Sequence, residues 1–460
     1  MYLFAIYMLN FSILNKKLNI KPIILLIVLC LSFKIAAQSR FIIDKNKTSF
    51  NLSFELVNDL VIIPVQINGV ELSFLLDTGV DATILFSLGD QDTLNLNNPE
   101  VIFLRGLGEG EPVQGLKSYG NEVVIGGATN NNLSLYLVFD NPLGLSNRMG
   151  VPVHGIIGFD LFRDFIIEFD YLRQRLKAFE PNAYKIPRCK NCDELKLVFH
   201  RNKPYVDIKG KINNTSMPLS LLVDSGSGDA LWLFENETGI TVPENNFKDF
   251  LGFGIGGSVY GSRSRIDGID FGRFSFPQIT ASFPDSIYHK GIETYEGRNG
   301  SVGAQVLKRF HLTIDYPGKK LRFKPNRNLN DPFEYDMSGV VVAHDGFTVI
   351  QDILRNPIAL RDEDKNNTAS GYLIYKSTYD IKYSLEPQYK IVEIRENSPA
   401  AQGGLKAGDI LIKINSRPAY KFTLTEIASL LSSGEGKRIR LLIERNGIEK
   451  LISFNLERII

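Results

Sequence analysis

From about residue 41 to residue 326, apolar and polar positions alternate in short runs punctuated by Gly, Asn, Asp and Pro, the pattern of closely spaced β-strands. One such unit occurs twice. An alternating strand, a polar turn and an apolar strand fill Ile63–Leu76 and lead into Asp77-Thr78-Gly79; the same arrangement fills Tyr205–Val223 and leads into Asp224-Ser225-Gly226. Short apolar runs follow both, Ala82–Phe86 and Ala230–Phe234. Further on, Gly155–Gly158 corresponds to Gly300–Gly303, and Asp160–Tyr171 to Ala304–Tyr316. The aspartates stand 147 positions apart (77 and 224) and the later landmarks 145 apart (158 and 303, 165 and 310). An offset held this closely predicts two homologous lobes. Between the landmarks each copy has a glycine-rich stretch, Gly106–Gly115 and Gly252–Gly261, expected to be a hairpin tip.

The pattern changes beyond Pro325. Asn326–Pro332 reads as a polar linker. Tyr389–Asn415 then predicts a strand, a short capped helix at Ser398-Pro399-Ala400-Ala401, a Gly-Leu turn, Gly408-Asp409 and a second strand. Residues 422–433 predict a helix and 438–455 a closing hairpin around Asn446-Gly447. Residues 352–385 read as an insertion whose charged run, Arg361–Lys365, is a solvated loop. At the other end, Lys16, Lys17 and Lys21 precede the apolar stretch Pro22–Phe33, with the small residues Ala36 and Ala37 after it. Neither early apolar stretch reaches the ~18–20 residues that a membrane-spanning helix needs. The segment reads as a signal peptide cleaved after Ala37, with an uncleaved anchor as the alternative.

Composition narrows the chemistry. In 460 residues, 52 Lys and Arg balance 51 Asp and Glu, a net charge of +1, so no strong global field draws the chain to nucleic acid. With 5 His and 3 Cys, multi-His or multi-Cys metal sites are not expected, and neither is a cofactor; the chemistry is expected to run on carboxylates. Cys30 lies inside the signal-like stretch. Cys189 and Cys192 are then left as a small local staple in an oxidising compartment.

A single Asp-Thr/Ser-Gly is also read as an ordinary turn. Two in register, each ending an apolar strand, are more specific. With Ile156-Ile157-Gly158 and Ser301-Val302-Gly303 downstream, residues 50–325 resemble the pepsin/retropepsin clan of aspartic peptidases. The string Ser398-Pro399-Ala400, Gly404-Leu405 and Gly408-Asp409 closely resembles a PDZ domain. The resemblances imply a mainly β chain: a signal peptide over 1–37, bilobal aspartic-protease β-barrel lobes over 41–187 and 193–326, and an α+β PDZ domain over 333–460 carrying the insertion at about 352–385.

The clan's chemistry explains the residues. Two carboxylates brought together cannot both ionise cheaply, so one proton is shared and their pKa values split. Asp77 and Asp224 would then activate a water for attack on a peptide carbonyl. Gly79 and Gly226 permit the tight turns that aim the acids at each other, and the resemblance implies that the Thr78 and Ser225 hydroxyls bond across the lobes. Val80 and Ser301 depart from the clan's pattern, which puts efficiency and pH optimum in question. Residues 106–120 are the candidate flap, with Tyr119 read either as a substrate contact or as an exposed loop aromatic. In the PDZ domain, Met337, Ser338, Gly339 and Val340 are read either as the loop that holds a chain-end carboxylate or as an ordinary turn.

The expected function is an exported aspartic endopeptidase, periplasmic, surface-associated or secreted, acting on a polypeptide. Its PDZ domain would take a C-terminal peptide of substrate or partner. The alternative is a non-catalytic peptide-binding scaffold with a peptidase-like fold. The mature chain is expected to have no dedicated membrane span.

Overall fold

Along Leu60–Ile67, Val61, Ile63, Val65 and Ile67 point into a core, and Val70–Leu76 folds back on this strand from Ile67↔Val70 to Ile62↔Leu75. The turn between them, Asn68 at φ 47° and Gly69 at φ 88°, has the left-handed backbone that matches the twist of a two-residue hairpin. The second copy repeats this with Lys203–Ile212 and Thr215–Val223 across Asn213 (φ 48°) and Asn214 (φ 64°). A short strand from far downstream completes each unit. Gly155–Ile157 lies parallel to Val70–Leu76, and Gly300–Val302 parallel to Thr215–Val223. Glycine is required at the head of both: a Cβ at Gly155 would overlap the Ile84 carbonyl oxygen, and one at Gly300 that of Trp232.

The computed structural model describes residues 39–86, 94–104, 113–139, 144–236, 239–254, 257–288, 297–358 and 376–460. The signal-like residues 1–37 lie outside these, as do most of the first glycine-rich stretch and the charged run at 361–365. Phe41–Ile460 forms one compact unit. Among the described residues, the first copy builds a nine-stranded sheet and the second a ten-stranded one. A six-stranded sheet joins them. At its centre Ile166–Asp170 pairs antiparallel with Phe310–Asp315, Phe169 opposite Leu312 and Ile167 opposite Ile314. One apolar core runs through both copies and this sheet and contains Phe74, Phe162, Phe310 and Phe323.

The last unit has its own core, including Met337, Ile391, Ile414, Ile427 and Ile443. The Pro399–Gln402 helix is capped by Ser398, whose hydroxyl accepts from the Ala401 N–H at 3.3 Å. The Leu424–Leu431 helix starts in a capping box of Thr423 and Glu426. Arg438–Arg445 and Ile448–Asn455 form the closing hairpin around Asn446 and Gly447, both at positive φ. Val340–Ile358 and Lys376–Ile394 stay paired as far as Ile358↔Lys376, so the described parts of the insertion, 352–358 and 376–385, form a hairpin arm continuous with the sheet. The backbone pairing accounts for this: a strand extended in register keeps its N–H and C=O groups satisfied without further contacts. This unit packs on both lobes. Thr425 bonds Asn58 at 3.2 Å, the Tyr260 hydroxyl donates to Glu393 at 3.0 Å, and Leu145–Met149 lies against both the hairpin arm and the Leu424–Leu431 helix.

The linker is fixed by one buried cation. Arg309, 2 % exposed, donates to the carbonyls of Gln305 (2.8 Å), Leu329 (3.0 Å) and Asp331 (2.5 Å), and its guanidinium lies 3.7 Å from the Phe333 ring centroid. Removing it leaves several buried acceptors without donors. Arg309→Met is therefore expected to destabilise the chain by about 3 kcal/mol. The shift of the denaturant midpoint, with local protection at 326–333 read by hydrogen exchange, checks this.

Candidate active site

Each of the two aspartates follows the last residue of an apolar strand, and a backbone bond fixes its start: Asp77 N–H donates to the Ile157 carbonyl at 2.9 Å and Asp224 N–H to the Val302 carbonyl at 3.0 Å. The loops meet across the pseudo-twofold axis. Thr78 Oγ1 donates to the Val223 carbonyl at 2.6 Å and accepts from Ser225 N–H at 3.0 Å; Ser225 Oγ donates to the Leu76 carbonyl at 2.9 Å and accepts from Thr78 N–H at 3.0 Å. Both hydroxyls are buried, so these bonds form without competition from water.

The lattice delivers the acids to one another, so that Asp77 and Asp224 carboxyl oxygens bound the same small space beside Gly79 and each acid acts on the other's ionisation. Gly79 N–H donates to Asp77 Oδ1 at 2.6 Å and Gly226 N–H to Asp224 Oδ1 at 3.2 Å. A Cβ at Gly226 would overlap the Asp77 carboxyl, and one at Gly79 would sit 3.0 Å from Asp77 Oδ1 and 3.1 Å from Asp224 Oδ1. The glycines thus serve close approach. The Tyr316 hydroxyl, bonded to the Thr78 carbonyl at 3.4 Å, supports the loop from below.

Residues 63–161 match the aspartyl protease family model, and residues 390–445 match the PDZ domain model. The chain carries an aspartyl protease domain and a C-terminal PDZ domain. No curated protein matches it. Among solved structures, an aspartic proteinase from Irpex lacteus aligns with a TM-score of 0.39 at 12% identity, over 62% of this chain and 99% of its own.

Electrostatics distinguish the two acids of the protease domain. Burial, then the neighbouring Asp224 charge, push Asp77 up to about 7. Burial also raises Asp224, opposed first by Arg298 and then by Lys203. Arg298 acts on Asp224 and Lys203 on both acids, so these cations favour a negative charge on the pair. Asp77 is buried, while Asp224 keeps partial exposure.

Tyr119 lies on Val113–Ile125, the strand paired with Glu100–Leu104; residues 105–112 between them lie outside the described residues. Its hydroxyl donates to Glu100 at 3.3 Å, and Lys117 Nζ lies 5.0 Å from its ring centroid. Cys189 and Cys192 are disulfide-bonded in the stretch between the lobes. In the PDZ domain, Ser338, Gly339 and Val340 each aim a backbone N–H at one carboxylate, that of the chain's own Asp336, at 2.9 Å, and the Ser338 hydroxyl adds a bond at 2.6 Å. The Met337 side chain is buried in the PDZ core. Sequence reasoning missed Lys203, Arg298, Tyr316 and Asp336. Asp336 was findable, as an acid directly before the proposed loop.

Two predictions follow from this geometry. Thr78→Ala or Ser225→Ala removes a donor and an acceptor at once and is expected to destabilise the folded chain by ~2 kcal/mol each, whereas Thr78→Ser and Ser225→Thr keep the lattice; chemical denaturation of the four variants checks this. Asp336→Ala frees three amides, so hydrogen exchange at 338–340 is expected to quicken by at least about tenfold, with Asp336→Asn intermediate.

Proposed function

We propose that the chain is an exported aspartic endopeptidase in which Asp77 and Asp224 activate a water to hydrolyse a peptide bond. The observation that carries this reading is the buried meeting of two carboxyl groups, one from each lobe, both held above the ordinary carboxylate range. Ionised Asp224 takes a proton from the water as its oxygen bonds to the scissile carbonyl carbon, and Asp77 gives its proton to the carbonyl oxygen. The resulting gem-diol collapses: the C=O re-forms and returns a proton to Asp77, the C–N bond breaks, and Asp224 passes its proton to the leaving nitrogen. Both acids end as they began.

The PDZ domain is read as the binding site for a peptide of substrate or partner, added along the edge strand Val340–Ile358. A chain-end carboxylate would have to displace Asp336 from the loop amides. Export is read from the basic, apolar and small-residue order of 16–37, and the Cys189–Cys192 bond suits an oxidising compartment.

The test is digestion of an unfolded protein by the purified chain from about pH 3.5 to about pH 8. Cleavage is expected to fall as pH rises past about 7, where Asp77 loses its proton. Asp77→Asn and Asp224→Asn are each expected to lower the rate at least about a thousandfold. Retained cleavage in either variant overturns the mechanism, and no cleavage at any pH favours a peptide-binding scaffold. The same shift has a stability consequence. Folded Asp77 keeps its proton to about 7, whereas the unfolded group loses it near 3.8, so this group's contribution to stability falls as pH rises through that window and is level above it.

A further inference from the structure

The two halves of the site correspond position by position, which makes their differences informative. In the first lobe the ladder pairs Ile62 with Leu75, so two steps on it sets Leu60 opposite Asp77. In the second it pairs Tyr205 with Leu222, so two steps on it sets Lys203 opposite Asp224. A second pair of positions is fixed as firmly. His154 Nδ1 accepts from Ser73 N–H at 3.0 Å while its carbonyl accepts from Phe86 N–H at 2.8 Å. Asn299 repeats both roles, its Oδ1 accepting from Ser220 N–H at 2.7 Å and its carbonyl from Phe234 N–H at 2.8 Å. The residue before His154 is Val153; the residue before Asn299 is Arg298.

At these two equivalent places the first lobe has Leu60 and Val153, both in an apolar cluster with Ile62, Leu75 and Phe86. The second lobe has Lys203 and Arg298. The fold itself is satisfied by aliphatic side chains here, as the first lobe demonstrates. Arg298 is held in place: its Nε donates to the Gly300 carbonyl at 3.1 Å, and its guanidinium lies 5.0 Å from the Phe234 ring centroid. An acid pair sharing one proton carries a single negative charge against these two cations, so the second-lobe side of the site has a positive surplus that a substrate can neutralise.

We propose that Lys203 and Arg298 form an electropositive wall that selects peptides with an acidic side chain next to the scissile bond on the second-lobe side, while the Leu60 and Val153 side takes an apolar residue. This rests on the peptidase reading of the same site. A glutamate there meets two partly desolvated cations, a lysine is repelled by them, and a glutamine of the same shape gains neither effect.

The test uses the full chain and quenched fluorescent peptides, all C-terminally amidated, with Glu, Gln or Lys placed in turn at each position flanking the bond cut. Glu is expected to exceed Gln in kcat/KM by about tenfold on one side of the bond only, with Lys below Gln. In Lys203→Met and in Arg298→Met the Glu/Gln ratio is expected to fall toward one; because it is a ratio within each variant, a change in overall rate cancels. Lys203 is only half-buried, so its variant stands should Arg298→Met misfold. A Glu/Gln ratio near one in the wild type, or a ratio unchanged in Lys203→Met and any folded Arg298→Met, overturns the proposal. A second set, the same peptides made as free acids, closes the other route: cleavage seen only in that set and confined to its last bonds overturns the proposal, since the chain-end carboxylate is then the ligand. Fluorescence anisotropy with the same peptides on Asp77→Asn separates the two readings. A Glu preference in binding that Lys203→Met removes sustains the wall even if the wild type cuts nothing, and it is then the peptidase reading that fails; no Glu preference in binding or cutting overturns the wall.

Discussion

The acid pair exists because of four hydrogen bonds that cross from one lobe to the other. Thr78 and Ser225 each use one hydroxyl as a donor to the opposite strand's carbonyl and as an acceptor for the opposite loop's amide. Carboxylates repel at close range, and a buried pair opens unless something else holds its backbones together. Here that force comes from the residue directly after each acid, in buried and paired groups. The glycines complete the constraint: with no Cβ at 79 or 226, the carboxyl groups occupy the space a side chain would have taken.

Around this nearly symmetric lattice the surroundings are asymmetric. The first-lobe acid is buried and lifted to about 7; the second is partly exposed and faces two cations. A symmetric pair leaves its two acids equivalent, and the environment makes them unequal here. The same cations act on the acid pair and form the proposed wall, so on that reading protonation and substrate choice are coupled through Lys203 and Arg298.

Much of this was legible in the sequence because it rests on local pattern. Asp77 and Asp224 announced themselves through a repeated strand–Asp–hydroxyl–Gly string, and the Asn446-Gly447 hairpin and Ser398 cap through turn and cap chemistry. What escaped depends on register. Nothing near Lys203 in the chain marks it as a neighbour of Asp224; it comes there because its strand runs on past the last rung, Tyr205 with Leu222. Nothing in the sequence marks Arg309, since a cradle of carbonyls from residues 305–332 leaves no trace in side-chain identity. The region at 352–385 read as an insertion because it interrupts the PDZ pattern, whereas its described backbone simply prolongs two strands.

The central sheet sets an order of events on chain synthesis. Ile166–Asp170 has its partner in Phe310–Asp315, and the apolar core is continuous through both. An emerging first lobe therefore presents an unpaired sheet edge until the ribosome has passed Pro325, and closing so long a loop is slow. During that interval Asp77 has no neighbour to share a proton with and is an ordinary solitary acid. Within one chain the acid pair therefore assembles only after both lobes have been translated.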